Sequence, residues 1–195
     1  MISAKTVLAN GATHRVLVAG ASSDTAVVLL HGFPSSGVVW EHQMPAVVKA
    51  GFRALAPDLR GAVGGGSEVP RENKDCSIPD VIVKDVAGIM DEFGIQKAHI
   101  IGHDWGAAVA WAFAALYPER TLNLTAVSVG HPSNYMSGSH LGEQRQKSWY
   151  MLLFNQPGIG EEALMSMRWA QGLVYPECKD RPAKALEARL LLGMA

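Results

Sequence analysis

Cysteine is scarce: Cys76 and Cys178 are the only two, they lie far apart, and neither belongs to a C-x-x-C or metal-ligand spacing. That argues against a disulfide framework and against a zinc site. An excess of charge of either sign is also missing, because 17 Lys and Arg against 18 Asp and Glu leave a formal net charge of -1. There is no basic field to attract nucleic acid and no acidic tail to act as a solvating arm. No uninterrupted apolar stretch reaches the ~20 residues that span a bilayer, and Met1 to Asn10 carries Lys5 but no signal-type apolar run. The expectation is a cytoplasmic protein with no nucleic-acid or membrane partner, no cofactor and no metal, acting on a small molecule. What the chain does have is 195 residues that are 48% hydrophobic, enough for one core.

Short apolar runs alternate with helical patterns. Val16-Leu17-Val18 and Thr25 to Leu30 read as strands buried on both faces, the second ending at His31-Gly32-Phe33-Pro34. A helix is expected across Val38 to Ala50, closed by Gly51, then a strand from Phe52 to Ala56 running into Pro57-Asp58-Leu59-Arg60-Gly61. Gly61 to Pro70, with four glycines, reads as a loop. Pro79 opens a helix whose Ile82, Val86, Ile89, Met90 and Phe93 recur at helical spacing until Gly94. Ala98 to Gly102, Ala107 to Tyr117 and Leu122 to Val129 follow as strand, helix and strand. This order predicts an α/β fold with a doubly wound, mostly parallel sheet over residues 1–133. From 134 to 195 the patterns at Trp149 to Phe154, Ile159 to Trp169 and Ala183 to Leu192 are all helical, which predicts a partial helical cap.

The chemistry-bearing motif is Gly102-His103-Asp104-Trp105-Gly106, which follows a strand and passes directly into an apolar helix. It has the form G-x-Nu-x-G of a sharp strand-to-helix turn that presents a nucleophile, here a carboxylate. Small residues flank it because such a turn brings neighbouring backbone very close. The plainer interpretation is an N-cap, since Asp is favoured at that position. The His31-Gly32-Phe33-Pro34 sequence at an earlier strand end, where a second oxyanion donor belongs, favours the nucleophile.

With Tyr117-Pro118-Glu119-Arg120, these pieces resemble the epoxide hydrolase and haloalkane dehalogenase branch of the α/β-hydrolase superfamily, in its order and at its spacing. The resemblance implies that Asp104 attacks an electrophilic carbon to form an ester that water hydrolyses. It implies that the backbone N–H groups of Phe33 and Trp105 stabilise the oxyanion of the second step. Trp149 to Gly158 resembles the cap segment that carries a ring-opening tyrosine, and Tyr150 falls on it. A neutral phenol suits that task because it donates to the epoxide oxygen while staying protonated at rest; packing beside Trp149 is the alternative. Phe33, Trp105 and Trp149 are the expected substrate contacts.

A small apolar epoxide and water are the expected reactants. The rival is a halide, released to the indole of Trp105 and to Trp149 or Trp169. His31 is expected to brace the oxyanion loop, His103 to flank the turn without acting as base, and His99 to be a hydrogen-bonded core or edge residue. His14, His42 and His140 read as surface, and neither His131 nor His140 is assigned as the base. The family's water-activating His and its orienting acid have no counterpart. The expectation is therefore a partial copy of a longer hydrolase, doubtful in turnover and prone to self-association through an uncovered sheet edge. A catalytically incompetent binding protein is the remaining alternative.

Overall fold

A computed structural model describes residues 1–21, 25–62, 67–68, 78–137, 141–154, 156, 158–160 and 162. They belong to two compact units, Met1–Gly130 and the residues from His131 onward.

The first unit is built on strands β1 (Ser3–Ala9), β2 (Ala12–Ala19), β3 (Ala26–Leu30), β4 (Arg53–Pro57), β5 (Ser67–Glu68), β6 (Ala98–His103) and β7 (Thr121–Val127). Its helices are α1 (Met44–Lys49), α2 (Val83–Glu92) and α3 (Trp105–Leu116). Strand order is β1-β2-β4-β3-β6-β7, with β5 pairing β2 off that path. The pairs β3 with β4, β3 with β6 and β6 with β7 are parallel, as the alternation of strands and helices predicts. The pairs that involve β2 are antiparallel.

Neither β1 nor β5 is signalled by the sequence patterns. The residues of β1 are mostly exposed, so it carries no run of buried apolar side chains to signal it, and a tight turn at Asn10 and Gly11 folds it onto β2. The expected helix from Val38 to Ala50 is instead a 3-10 turn at Gly37–Trp40 followed by α1. Pro45 lies near the start of α1, where its missing N–H is tolerated. The expected loop from Gly61 to Pro70 contains β5, and a π-turn at Ile78–Ile82 precedes α2.

The core follows from the two-residue period of β3, whose five residues are all buried. Val28 and Leu30 point to the face covered by α2 and α3, where they meet Val86, Ile89, Met90, Val109 and Phe113. Val27 and Leu29 point to the other face, against Met44 of α1. Helices therefore cover both sides of the central parallel strands. From β3 the chain moves to β4 on one side and then crosses to β6 on the other. That reversal opens a crevice at the C-terminal ends of β3, β4 and β6, the usual place for a ligand in such a sheet.

Two quoted motifs are scaffold. Asp58 is fully buried and accepts from Arg15 Nε at 2.7 Å and from the Gly37 N–H at 2.7 Å. Arg60, also buried, donates from Nε and Nη2 to the buried Asp85 of α2 at 2.8 and 2.7 Å. Asn10 Nδ2 donates to the same carboxylate at 2.7 Å. His14 lies here too: it is 0% exposed, with Nε2 3.9 Å from Asp85, which corrects its reading as a surface residue. Its place on a strand buried on alternate positions takes it inward. Arg120 donates to Asp91 at 2.7 Å and to the Ile95 carbonyl at 2.9 Å, fastening the end of α3 to the end of α2.

In the second unit, α4 (Pro132–Ser137), α5 (Leu141–Lys147) and α6 (Trp149–Phe154) follow one another, and α6 coincides with the expected helical pattern at Trp149 to Phe154. Trp169, His140 and the pattern at Ala183 to Leu192 lie outside the described residues, as does nearly all of Ile159 to Trp169. Among the described residues no helix is long and apolar enough to cross a membrane.

Removing one partner of a buried ion pair leaves the other charge stranded. Asp85→Ala is expected to destabilise the fold by about 3–5 kcal/mol in urea unfolding, and Asp85→Leu with Arg60→Met to recover most of that loss.

Candidate active site

The three strand ends of the crevice supply the site. β6 ends at His103, and Asp104 follows with φ 54° and ψ -123°, a left-handed backbone that a side-chain-bearing residue adopts only under constraint. The constraint is visible in its neighbours. The Asp104 N–H donates to the Val127 carbonyl of β7 at 3.1 Å, and its own carbonyl accepts from the N–H groups of Ala107 and Ala108 in the first turn of α3. A Cβ on Gly106 would collide with the carbonyl oxygens of Leu30 and His31, so only glycine lets α3 start this close to β3.

Asp104 occupies the N-cap position, yet its side chain makes no capping hydrogen bond. Oδ1 instead accepts from the Phe33 N–H at 2.9 Å, across from the end of β3. The carboxylate reaches that N–H over Gly32, where an added Cβ would lie 2.5 Å from Asp104 Cβ and 2.6 Å from Oδ1. The Phe33-Pro34 peptide bond is cis. Trp105, the first residue of α3, has a backbone N–H with no acceptor inside the helix, as at any helix start. The structure thus brings Asp104, the Phe33 N–H and Trp105 together.

A cavity of about 240 Å³ adjoins them, with Phe33, Leu59, Ile78, Ile82, Trp105 and Val109 among its lining. Asp104 does not line it, but Trp105, which follows it in the chain, and Phe33, which donates to it, both do. Phe33 and Trp105 are 40% and 44% exposed, large apolar surfaces left open at one place.

His31, buried behind this loop, has both ring nitrogens engaged. Nε2 accepts from the Leu59 N–H at 2.9 Å, so Nδ1 carries the proton and donates to the Gly32 carbonyl at 2.9 Å. Burial holds the imidazole below its ordinary value of 6.5. The hydrogen bond to Gly32 and the carboxylates of Asp58 and Asp104 oppose that shift, and Arg15 reinforces it.

The other expected residues belong to other elements. Trp149 and Tyr150 are on α6 of the second unit, where the Tyr150 ring packs edge-on against Phe154 with centroids 5.8 Å apart. His103 is exposed and His99 meets Asn123 Nδ2 at 3.1 Å. His131 bonds Ser133. Among the described residues no group of three or more His, Cys, Asp or Glu is arranged to hold a metal. Asp58, Arg60 and Asp85 were missed as structural charges. The available signal was an Asp at position 85, on the same helical face as Ile82, Val86 and Ile89.

Residues 25–161 match the α/β hydrolase fold family. The chain belongs to that family. This α/β-hydrolase-fold chain is 41% identical over 184 residues to epoxide hydrolase B of Mycobacterium tuberculosis, covering 86% of the chain and 51% of that protein. It is 38% identical over 144 residues to bifunctional epoxide hydrolase 2 of Sus scrofa, covering 73% of the chain and 25% of that protein. Among solved structures, epoxide hydrolase A of Mycobacterium thermoresistibile superposes with a TM-score of 0.74 at 34% identity, over 95% of this chain and 59% of that one. An epoxide hydrolase of Bacillus megaterium, complexed with its naphthyloxy-propane diol product, superposes with a TM-score of 0.80 at 25% identity, over 97% of this chain and 66% of that one. The hydrolase-fold chain spans about half the length of the Mycobacterium tuberculosis relative.

Folded His31 takes up its proton at lower pH than it does in the unfolded chain. Between those two values the unfolded state holds the extra proton, so stability rises with pH across the window and is fully present above it. Unfolding free energy is expected to fall as pH drops below about 6.5, and His31→Asn to flatten that slope in urea titrations at stepped pH.

Proposed function

We propose that Asp104 is the carboxylate nucleophile of an epoxide hydrolase-type reaction. The observation that carries the reading is the Phe33 N–H donating to Asp104 Oδ1 at 2.9 Å, at the mouth of the strand-end crevice and beside an apolar cavity. Holding Oδ1 leaves Oδ2 to attack a ring carbon. The C–O bond of the epoxide breaks, its electron pair goes to the ring oxygen, and that oxygen takes a proton from Tyr150, proposed as donor from the resemblance of its segment. Water then adds to the ester carbonyl, its proton returning to the Tyr150 phenolate, and the N–H groups of Phe33 and Trp105 receive the oxyanion; as the oxyanion re-forms the carbonyl, the ester C–O bond breaks and the departing alkoxide takes the remaining proton of the added water, which gives diol and carboxylate. Phe33, Trp105 and Trp149 are the proposed substrate contacts. An aryl epoxide suits the cavity lining, and a relative of similar fold has been seen with an aryloxy diol product.

No histidine of this chain is assigned as water-activating base, so the ester is expected to persist. Intact mass spectrometry after incubation with styrene oxide is expected to show one adduct on the wild-type chain and none on Asp104→Ala. Sustained diol formation by the pure chain would overturn the single-turnover part. An adduct from a 1-haloalkane but not from the epoxide would assign halide displacement. Ligand binding retained in Asp104→Ala with no adduct in either protein would make the chain a binding protein.

Self-association through β7 belongs to the same reading. Among the described residues no strand pairs its outer edge, and Leu122 and Val127 on it are each 42% exposed. Light scattering is expected to give a mass above the monomer that falls in Leu122→Lys; a monomeric wild type would remove this element.

A further inference from the structure

The Gly32 carbonyl receives three donors: His31 Nδ1–H at 2.9 Å, the Ser35 N–H at 3.1 Å and the Ser35 hydroxyl at 2.8 Å. A peptide unit is planar, and in the trans form its C=O and N–H point in opposite directions. Fixing the Gly32 carbonyl therefore fixes the direction of the next N–H, that of Phe33, which points at Asp104 Oδ1. Donors on a carbonyl also polarise its amide, which makes the N–H at the other end a stronger donor.

We propose that His31, as its neutral Nδ1–H tautomer, is a positioning residue that sets the Gly32-Phe33 peptide plane and so aims the Phe33 N–H at the Asp104 carboxylate. The tautomer is imposed from the segment after β4: the Leu59 N–H occupies Nε2, leaving Nδ1 as the only ring nitrogen able to carry the proton in a neutral ring. The Leu59 N–H, the His31 ring, the Gly32 carbonyl and the Phe33 N–H thus form one line of hydrogen bonds. It joins the segment after β4, through the loop after β3, to the carboxylate after β6. Burial of the ring favours the neutral form that this line requires. Asp58, Arg15 and Asp104 are the charged groups acting on it. The proposal rests on the reading of Asp104 as nucleophile for its catalytic meaning, while the aim of the N–H is measurable apart from it.

The test follows the Phe33 and Leu59 amides of the full 195-residue chain by NMR, together with the imidazole nitrogens and the rate of ester formation with styrene oxide. In the wild type, long-range nitrogen spectra are expected to show His31 Nδ1 protonated and Nε2 bare. A protonated Nε2 overturns the proposal with no variant needed. His31→Asn keeps a donor near the Nδ1 position and is expected to hold the low-field Phe33 amide and an alkylation rate within about twofold of wild type. His31→Gln lacks that donor. It is expected to move the Phe33 amide upfield and to slow alkylation about tenfold, since small misplacements of reacting groups are costly. Ser35→Ala, which keeps His31 and the Ser35 N–H, is expected to move the Phe33 amide in the same direction by less. If Asn and Gln shift that amide alike, or neither shifts it, His31 is only a packing residue and the proposal fails. If the amide pattern holds but no protein forms an adduct, the nucleophile reading fails and the positioning role stands.

Discussion

The site depends on how closely the ends of β3 and β6 approach each other. Gly106 lacks the Cβ that would collide with the carbonyls of Leu30 and His31, and Gly32 clears the space that the Asp104 carboxylate enters. Everything polar about the site follows from that proximity. Asp104 is pressed into a left-handed backbone, held by the Val127 carbonyl on one side and by the first turn of α3 on the other, and its carboxylate meets the Phe33 N–H. The strain of such a backbone, of order 1–3 kcal/mol, is sustained by the packed sheet beneath, where β3 is buried on both faces.

A second layer of charge supports the crevice from below. Asp58 and Arg60 flank Leu59 in sequence and make opposite use of their positions. Asp58 anchors the Gly37 N–H after the loop that carries Phe33, and Arg60 binds Asp85 of α2. Leu59 between them presents its N–H to His31 and also lines the cavity. One short segment after β4 therefore joins the scaffold, the loop that carries Phe33 and the apolar wall.

The central parallel strands were legible because strands buried on both faces read as plain apolar runs and their helices repeat at 3.6 residues. β1 was not, since an exposed edge strand carries no such run, and the 3-10 turn at Gly37–Trp40 was absorbed into a longer helix because its Val38 and Val39 continue the apolar pattern. At the site, the turn around Asp104 could be located from glycine spacing at a strand end, and Phe33 from the resemblance of His31-Gly32-Phe33-Pro34 to the family. The buried polar network could not. His14 is enclosed although nothing in the sequence marks it so, because a single polar residue in a strand does not show which face it occupies until the register with β1 and β5 is known.

Both N–H groups proposed to meet the oxyanion belong to the main chain, whereas the cavity is lined by side chains. The groups that would receive developing charge are thus encoded separately from those that shape the space for a ligand. At positions 33 and 105 a replacement alters size, shape and stacking while the amide at the same position remains. Substitution at positions 33 and 105 can therefore reshape the cavity without removing either amide, with Gly32 and Gly106 as the residues that have to stay.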